Sequence, residues 1–253
     1  MAYLKVSTVQ FDISAKSKTL NFEKVNNLLL GVDADLIVLP EMFNTAYNVE
    51  DMSLAETIQG DTINWMQKMS KESKYAICGS LLVKVDTQVY NRFVMVSSGE
   101  VVGHYDKTHL FKMSREEKNI AAGNVKADMV VKGFKIRPII CYDLRFPYTA
   151  FNDTEYDVLI NVASWPSARI SHWDALLKAR SIENQAYVIG CNRVGEQQQG
   201  GASYYYPGHS SAYAPDGKQL AHSIKEEVIS IELDKNLIEN TREKLPFLKD
   251  RRM

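Results

Sequence analysis

The sequence predicts an α/β fold, a four-layer α-β-β-α sandwich of two mixed sheets with outer helices, formed by residues 1–253 as a single domain. Apolar, β-branched runs recur along the chain, and stretches of helical periodicity separate some of them. Runs such as "DVLINVA" and "AYVIGC" are apolar on both alternating faces, so their sheet is covered on both sides. Helices on one side and a second sheet on the other satisfy that demand in one domain. No low-complexity linker and no solenoid-type repeat divides the chain.

The elements follow in order. "LKVSTVQF" (4–11) and "DLIVLP" (35–40) read as the first strands. Between them "TLNFEKVNNLLLG" places Phe22, Val25, Leu28 and Leu29 on one helical face and stops at Gly31. A second helix, "DTINWMQKMSKESK", aligns Ile63, Met66 and Met69 and leads into strands at 75–84 and 92–98. "VSSGEVVGHYD" and "YAPDGKQLAHS" carry the Gly and Asp-Gly signals of hairpins, which makes the sheets mixed rather than purely parallel. Further strands are read at 134–141, 157–164, 186–191 and 227–233, with a third helix at "SHWDALLKARSIENQ". The segment "EQQQGGASYYYPGHS" reads as a mobile surface loop near the site.

Composition excludes several classes of function. With 45% apolar and 24% charged residues the chain has material for a substantial core. Its 30 basic and 31 acidic residues give a formal net charge of −1, so no basic excess suits a phosphate backbone or an anionic membrane. No signal-peptide pattern and no run of membrane-span length is present, and a cytoplasmic protein is expected. The three cysteines, Cys78, Cys141 and Cys191, fit free thiols in a reducing compartment. No CxxC pair, histidine set or Gly-rich phosphate loop is found, so neither a metal nor a cofactor is expected.

Active sites of α/β sheets gather beyond the carboxyl ends of strands. Three such ends carry complementary chemistry: Glu41 after "DLIVLP", Lys107 after "VVGHYD", and Cys141 in "IICYDLRFP". A thiol is a weak nucleophile until a base takes its proton or a cation stabilises the thiolate, and a carboxylate and an ammonium supply both. Taken singly, each residue has an ordinary reading: a solvated acid, a surface lysine, a core cysteine.

Together the three motifs resemble the nitrilase superfamily of carbon–nitrogen hydrolases, in which a glutamate, a lysine and a cysteine stand in LPE, YDK and CYDxRFP segments. The resemblance runs from "VQFD" to "LPF", and "NVASWPSARISHWDALLKARSIENQAYVIGCNRVG" is similar to the ω-amidase branch. It implies that Cys141 attacks an amide carbon, that Glu41 serves as acid and base, and that Lys107 stabilises the tetrahedral oxyanion. The amide N–H of Tyr142 is a second oxyanion donor in this reading. The branch resemblance implies hydrolysis of the terminal amide of a short 2-oxo dicarboxylic monoamide through a thioester. The alternatives are another small amide, an N-carbamoyl compound or a nitrile at the same triad, or a catalytically silent binding subunit.

The family's second glutamate aligns with Glu116, counting back from Gly123, and would orient Lys107; the other reading is two solvated glutamates, Glu116 and Glu117. A 2-oxo acid needs a cation for its far carboxylate. Arg145 is the candidate, the alternatives being ordering of the turn and an ion pair with Asp143 or another acid. Phe43, Tyr47 and Trp165 are candidate pocket walls, and each is also an ordinary core aromatic. Cys78 and Cys191 read as structural. The family usually pairs its subunits by sheet extension, which implies a homodimer.

Overall fold

Two sheets packed face to face carry the site at one end. The computed structural model describes residues 2–251. The first sheet contains β1 (Tyr3–Gln10), β2 (Leu36–Val38), β3 (Ala76–Val85), β4 (Gln88–Ser97) and β5 (Glu100–Asp106). The second begins with β6 (Met129–Val131), β7 (Phe134–Ile140), β8 (Val158–Ala163) and β9 (Tyr187–Asn192). A separate hairpin of β10 (Val194–Gln199) and β11 (Ala202–Pro207) follows. Then β12 (Ser210–Tyr213) and β13 (Gln219–Ser223) complete the second sheet, and β14 (Glu227–Asp234) returns to the first. The α-helices are α1 (Lys18–Leu28), α2 (Asp61–Ser73), the short α3 (Pro147–Ala150), α4 (Ile170–Asn184) and α5 (Lys235–Lys244).

The spatial orders are β14-β1-β2-β3-β4-β5 and β13-β12-β9-β8-β7-β6. In each, three central strands run parallel, β1-β2-β3 and β7-β8-β9, and antiparallel strands flank them on both sides. Strand periodicity then sorts the side chains into layers. Leu36 and Val38 of β2 point inward with Val6, Phe93, Ile136, Ile140, Ile160 and Val162 to fill the space between the sheets. Ile37 points the other way and packs with Val25, Ile63 and Met66 of α1 and α2. Across the molecule Ile139, Leu159 and Val188 face Trp173 and Leu177 of α4. The result is the expected four-layer α-β-β-α arrangement.

Three features differ from the sequence reading. The segment at 196–210 is mostly the β10–β11 hairpin, not an irregular loop; its turn is Gly200-Gly201, both with positive φ of +56° and +77°, as a tight hairpin requires. β6 and α5 were not expected, because three residues are too few for a periodicity and α5 is mostly polar. Phe43 lies in the cluster between the first sheet and its helices, 5.9 Å from the Trp65 ring, so it does not wall the pocket. Cys78 and Cys191 are fully buried between the sheets, as read, and burial keeps both thiols protonated.

Helix α4 lies close on β9 because Gly190 has no side chain. A Cβ there would come within 2.5 Å of a Leu177 methyl and 2.7 Å of the Trp173 ring. Gly190→Ala is therefore expected to cost about 1–3 kcal/mol of stability by overpacking, read from urea denaturation. A wild-type midpoint would show that the helix layer yields freely.

Candidate active site

The three strand-end residues meet where β2, β5 and β7 finish. β2 leads through Leu39-Pro40 into Glu41, and Met42 and Ala46, both with positive φ, fold the following segment back on itself. Lys107 follows β5, and Cys141 follows β7 at the start of a 3₁₀ turn, Cys141–Arg145. The nucleophile candidate has φ +46°, a conformation unfavourable for a residue with a Cβ and a mark of a sharp elbow. Its thiol opens into a cavity of about 340 Å³.

Lys107 is completely buried. Its Nζ donates to Glu41 Oε1 at 2.9 Å and to Glu116 Oε1 and Oε2 at 3.1 and 3.0 Å. Burial alone would lower the lysine pKa, but Glu116 and Glu41 outweigh it and hold the ammonium well above its ordinary value. Glu116 is the buried member of the Glu116-Glu117 pair. Its Oε2 also accepts from the Phe111 N–H at 2.6 Å, and burial raises its carboxyl pKa despite Lys107. The Gly123 N–H donates to the Lys107 carbonyl at 2.9 Å, so the loop carrying Glu116 is tied down at its far end as well.

Glu41 is equally buried and fully engaged. Besides Lys107, its Oε1 accepts from Asn91 Nδ2 at 2.9 Å, and its Oε2 accepts from the Ser164 N–H at 2.9 Å. Its remaining partner is the Cys141 thiol. Burial first, then the Glu41 charge and the hydrogen bond to Glu41, push that thiol well above its ordinary pKa; Lys107 acts against them. The resting group is thus a neutral thiol beside a carboxylate.

Asp143 locks the turn of the candidate nucleophile, a role the sequence did not reveal. Its Oδ2 accepts from the Ile140 N–H at 3.1 Å and the Tyr105 hydroxyl at 2.8 Å, and its Oδ1 from the His109 N–H at 2.8 Å. One buried carboxylate therefore ties the cysteine turn to the segment on both sides of Lys107. The Cys141 N–H donates to Asn161 Oδ1 at 2.7 Å, which removes it from oxyanion duty. Tyr142 follows at the second position of the turn, where amides have no partner within the helix. A polar residue inside the apolar run "VLINVA" was the available signal for Asn161.

Tyr47, Phe111, Tyr142, Trp165 and Tyr206 are among the aromatic residues lining the cavity. Tyr204 and Tyr206 come from the β10–β11 hairpin, anchored where Gln197 Nε2 donates to the Tyr47 carbonyl at 2.8 Å. Arg145 does not pair with Asp143. It lies 4.7 Å over the Trp165 ring, and its Nη1 is 3.1 Å from His172 Nδ1. Arg169, missed in the sequence, lies 5.2 Å over the Phe111 ring on the same cavity. Neither arginine has a carboxylate ion-pair partner among the described residues. Partial burial, then repulsion from Arg169, lowers the Arg145 pKa.

Two outcomes follow from these charges. Glu41→Gln removes the charge that raises the thiol but keeps Lys107, so the thiol pKa falls and more thiolate exists at neutral pH. The Cys141 thiolate, followed by its ultraviolet absorbance, should then titrate at lower pH in Glu41→Gln than in the wild type; an upward displacement would contradict this electrostatic picture. Lys107→Met leaves two buried carboxylates without their cation and is expected to cost about 3–5 kcal/mol in urea denaturation.

The chain matches the carbon–nitrogen hydrolase family over residues 5–243. It is 37% identical to the omega-amidase YafV of Escherichia coli (strain K12), across 99% of this chain and 97% of that protein. It is 32% identical to the 2-oxoglutaramate amidase of Bacillus subtilis (strain 168), across 97% and 96% of the two. Among solved structures it is similar to XC1258 of Xanthomonas campestris, a CN-hydrolase superfamily protein with an arsenic adduct in its active site. That similarity has a TM-score of 0.94 at 32% identity and covers 100% of this chain and 98% of the other. An amide-hydrolysing fold, matched over nearly its whole length, thus accompanies the buried carboxylates, ammonium and thiol, and the chain belongs to the carbon–nitrogen hydrolase family of the nitrilase superfamily.

Proposed function

We propose that this enzyme hydrolyses the terminal amide of a short 2-oxo dicarboxylic monoamide, 2-oxoglutaramate or 2-oxosuccinamate, to the diacid and ammonia. The observation that carries the substrate choice is the pair Arg145 and Arg169. Two guanidinium groups without ion-pair partners among the described residues share a cavity with the thiol, and a planar donor fork suits a carboxylate. The ω-amidase and 2-oxoglutaramate amidase relatives support the same substrate class.

In the proposed mechanism Glu41 accepts the Cys141 proton as sulfur attacks the amide carbon. The carbonyl electron pair moves to oxygen, where Lys107 and the Tyr142 N–H receive it. One Lys107 proton serves Glu41 and one is shared by the two Glu116 oxygens, which leaves a third for the oxyanion. Collapse of the intermediate breaks the C–N bond, and Glu41 returns its proton to the departing ammonia. A water then gives its proton to Glu41 and attacks the thioester, and the released thiol recovers the proton. Subunits pair by sheet extension in the cytoplasm in this reading; light scattering tests the pairing. Among the described residues no helix is long and apolar enough to cross a membrane.

Ammonia release from 2-oxoglutaramate and 2-oxosuccinamate tests the reading. Wild type should turn over both, Cys141→Ala neither, and Glu41→Gln about 10²–10⁴-fold more slowly. Arg169→Ala should raise KM for these acids about 10–100-fold while sparing an uncharged amide. Turnover of nitriles or N-carbamoyl compounds far above these amides would reject the substrate assignment.

A further inference from the structure

We propose that Asp174, His209 and His222 form a binding site for a borderline divalent metal ion such as Zn²⁺, separate from the hydrolytic pocket. The three residues are far apart in sequence and come from different elements. Asp174 is on α4, His209 is in the connection from β11 to β12, and His222 is on β13. One ligand atom from each can be chosen so that all lie within 4.8 Å of one another. None of the three lines the cavity that holds Cys141.

The spacing is close to that of a coordinated set. Two atoms each about 2.0–2.1 Å from a tetrahedral zinc stand about 3.3 Å apart. His209 Nδ1 already lies 3.1 and 3.2 Å from the two Asp174 carboxylate oxygens. The His222 ring approaches His209 edge to face, with centroids 4.8 Å apart and planes at 89°. His222 is exposed, and with Nδ1 taken by a serine it has Nε2 left to offer to an ion. Its Nδ1 is held 3.0 Å from Ser211 Oγ, the outer hydrogen bond that fixes ring orientation in metal-binding histidines.

His209 is itself held in place. Its carbonyl accepts from Trp173 Nε1 at 2.8 Å and from Ser211 Oγ at 3.1 Å, and its φ of +63° is uncommon for a residue with a side chain. A simple Asp174–His209 ion pair accounts for two of the three groups. It does not account for a second imidazole placed against the first and oriented by its own serine. Two imidazoles and one carboxylate suit zinc, cobalt, nickel or copper rather than magnesium or calcium, and three protein ligands leave a position for water.

An ion there would join α4 to β13 and to the root of the hairpin, since β11 ends at Pro207 and continues to His209. Its role is structural. Asp174 is adjacent to Trp173, whose ring packs 5.5 Å from the Trp165 ring of the pocket wall, so the clamp stiffens the scaffold behind the pocket.

The test is equilibrium dialysis of the chelator-treated full chain against Zn²⁺, with Cys141→Ala in parallel because a thiol also binds zinc. One equivalent should bind to both proteins, and affinity should fall at least about tenfold in Asp174→Asn and in the exposed-site variant His222→Gln. Zinc should also raise the thermal midpoint of Cys141→Ala but not of Cys141→Ala combined with His222→Gln. Circular dichroism of each variant checks that it is folded. Absence of stoichiometric binding to Cys141→Ala, or equal affinity in folded His222→Gln and Asp174→Asn, overturns the site.

Discussion

An ammonium buried from all solvent loses several kcal/mol of hydration, and Lys107 persists only because two carboxylates enclose it. Much of the site is arranged to keep that ion cluster satisfied. Asn91 from β4 and the Ser164 amide beyond β8 complete the shell of Glu41, while the Phe111 amide completes that of Glu116. These partners come from both sheets, so the cluster exists only after the sandwich has formed. Asp143 then adds the cysteine turn to the same framework by bonding Ile140, Tyr105 and His109. The strained elbow at Cys141 is stable because its neighbours on both sides are already fixed.

The layer order was legible because strands covered on both faces cannot alternate polar and apolar residues, and "DVLINVA" and "AYVIGC" do not. The catalytic candidates were legible as motifs at strand ends, where local sequence sets position. What was hidden depends on contacts between distant segments. Phe43 and Tyr47 both follow Glu41, yet the positive-φ residues Met42 and Ala46 send Phe43 toward α2 and Tyr47 toward the cavity. Nothing in the alternation of "EMFNTAY" announces that reversal. Arg169 was equally hidden, since an arginine before a helix resembles any solvated charge until Phe111 is seen beneath it.

The hairpin β10–β11 shows how polar residues can build order without a hydrophobic signature. Gln197 donates to the Tyr47 carbonyl and accepts from the fully buried Arg193, whose other nitrogen reaches Asp12 at 3.0 Å. Arg193 also lies 4.6 Å from the Tyr206 ring. A glutamine-rich and tyrosine-rich stretch thus folds because its polar side chains meet buried partners. The pocket roof is thereby joined to the segment that carries Glu41, so the cavity walls and the candidate catalytic carboxylate share one support.

Charge conservation explains why the thiol rests protonated. Glu41 and Glu116 share the single Lys107 ammonium in this buried space. Ionising Cys141 would add a negative charge to the same low-dielectric space, which burial and Glu41 both oppose. Moving the proton from sulfur to Glu41 avoids this, because one anion replaces another. As the proposed attack proceeds the charge moves again, from sulfur to the amide oxygen, toward Lys107. At no stage does the proposed path add negative charge to the site. The carboxylate therefore has to be adjacent to the thiol and the lysine adjacent to both, and that requirement is met by bringing three separate strand ends together.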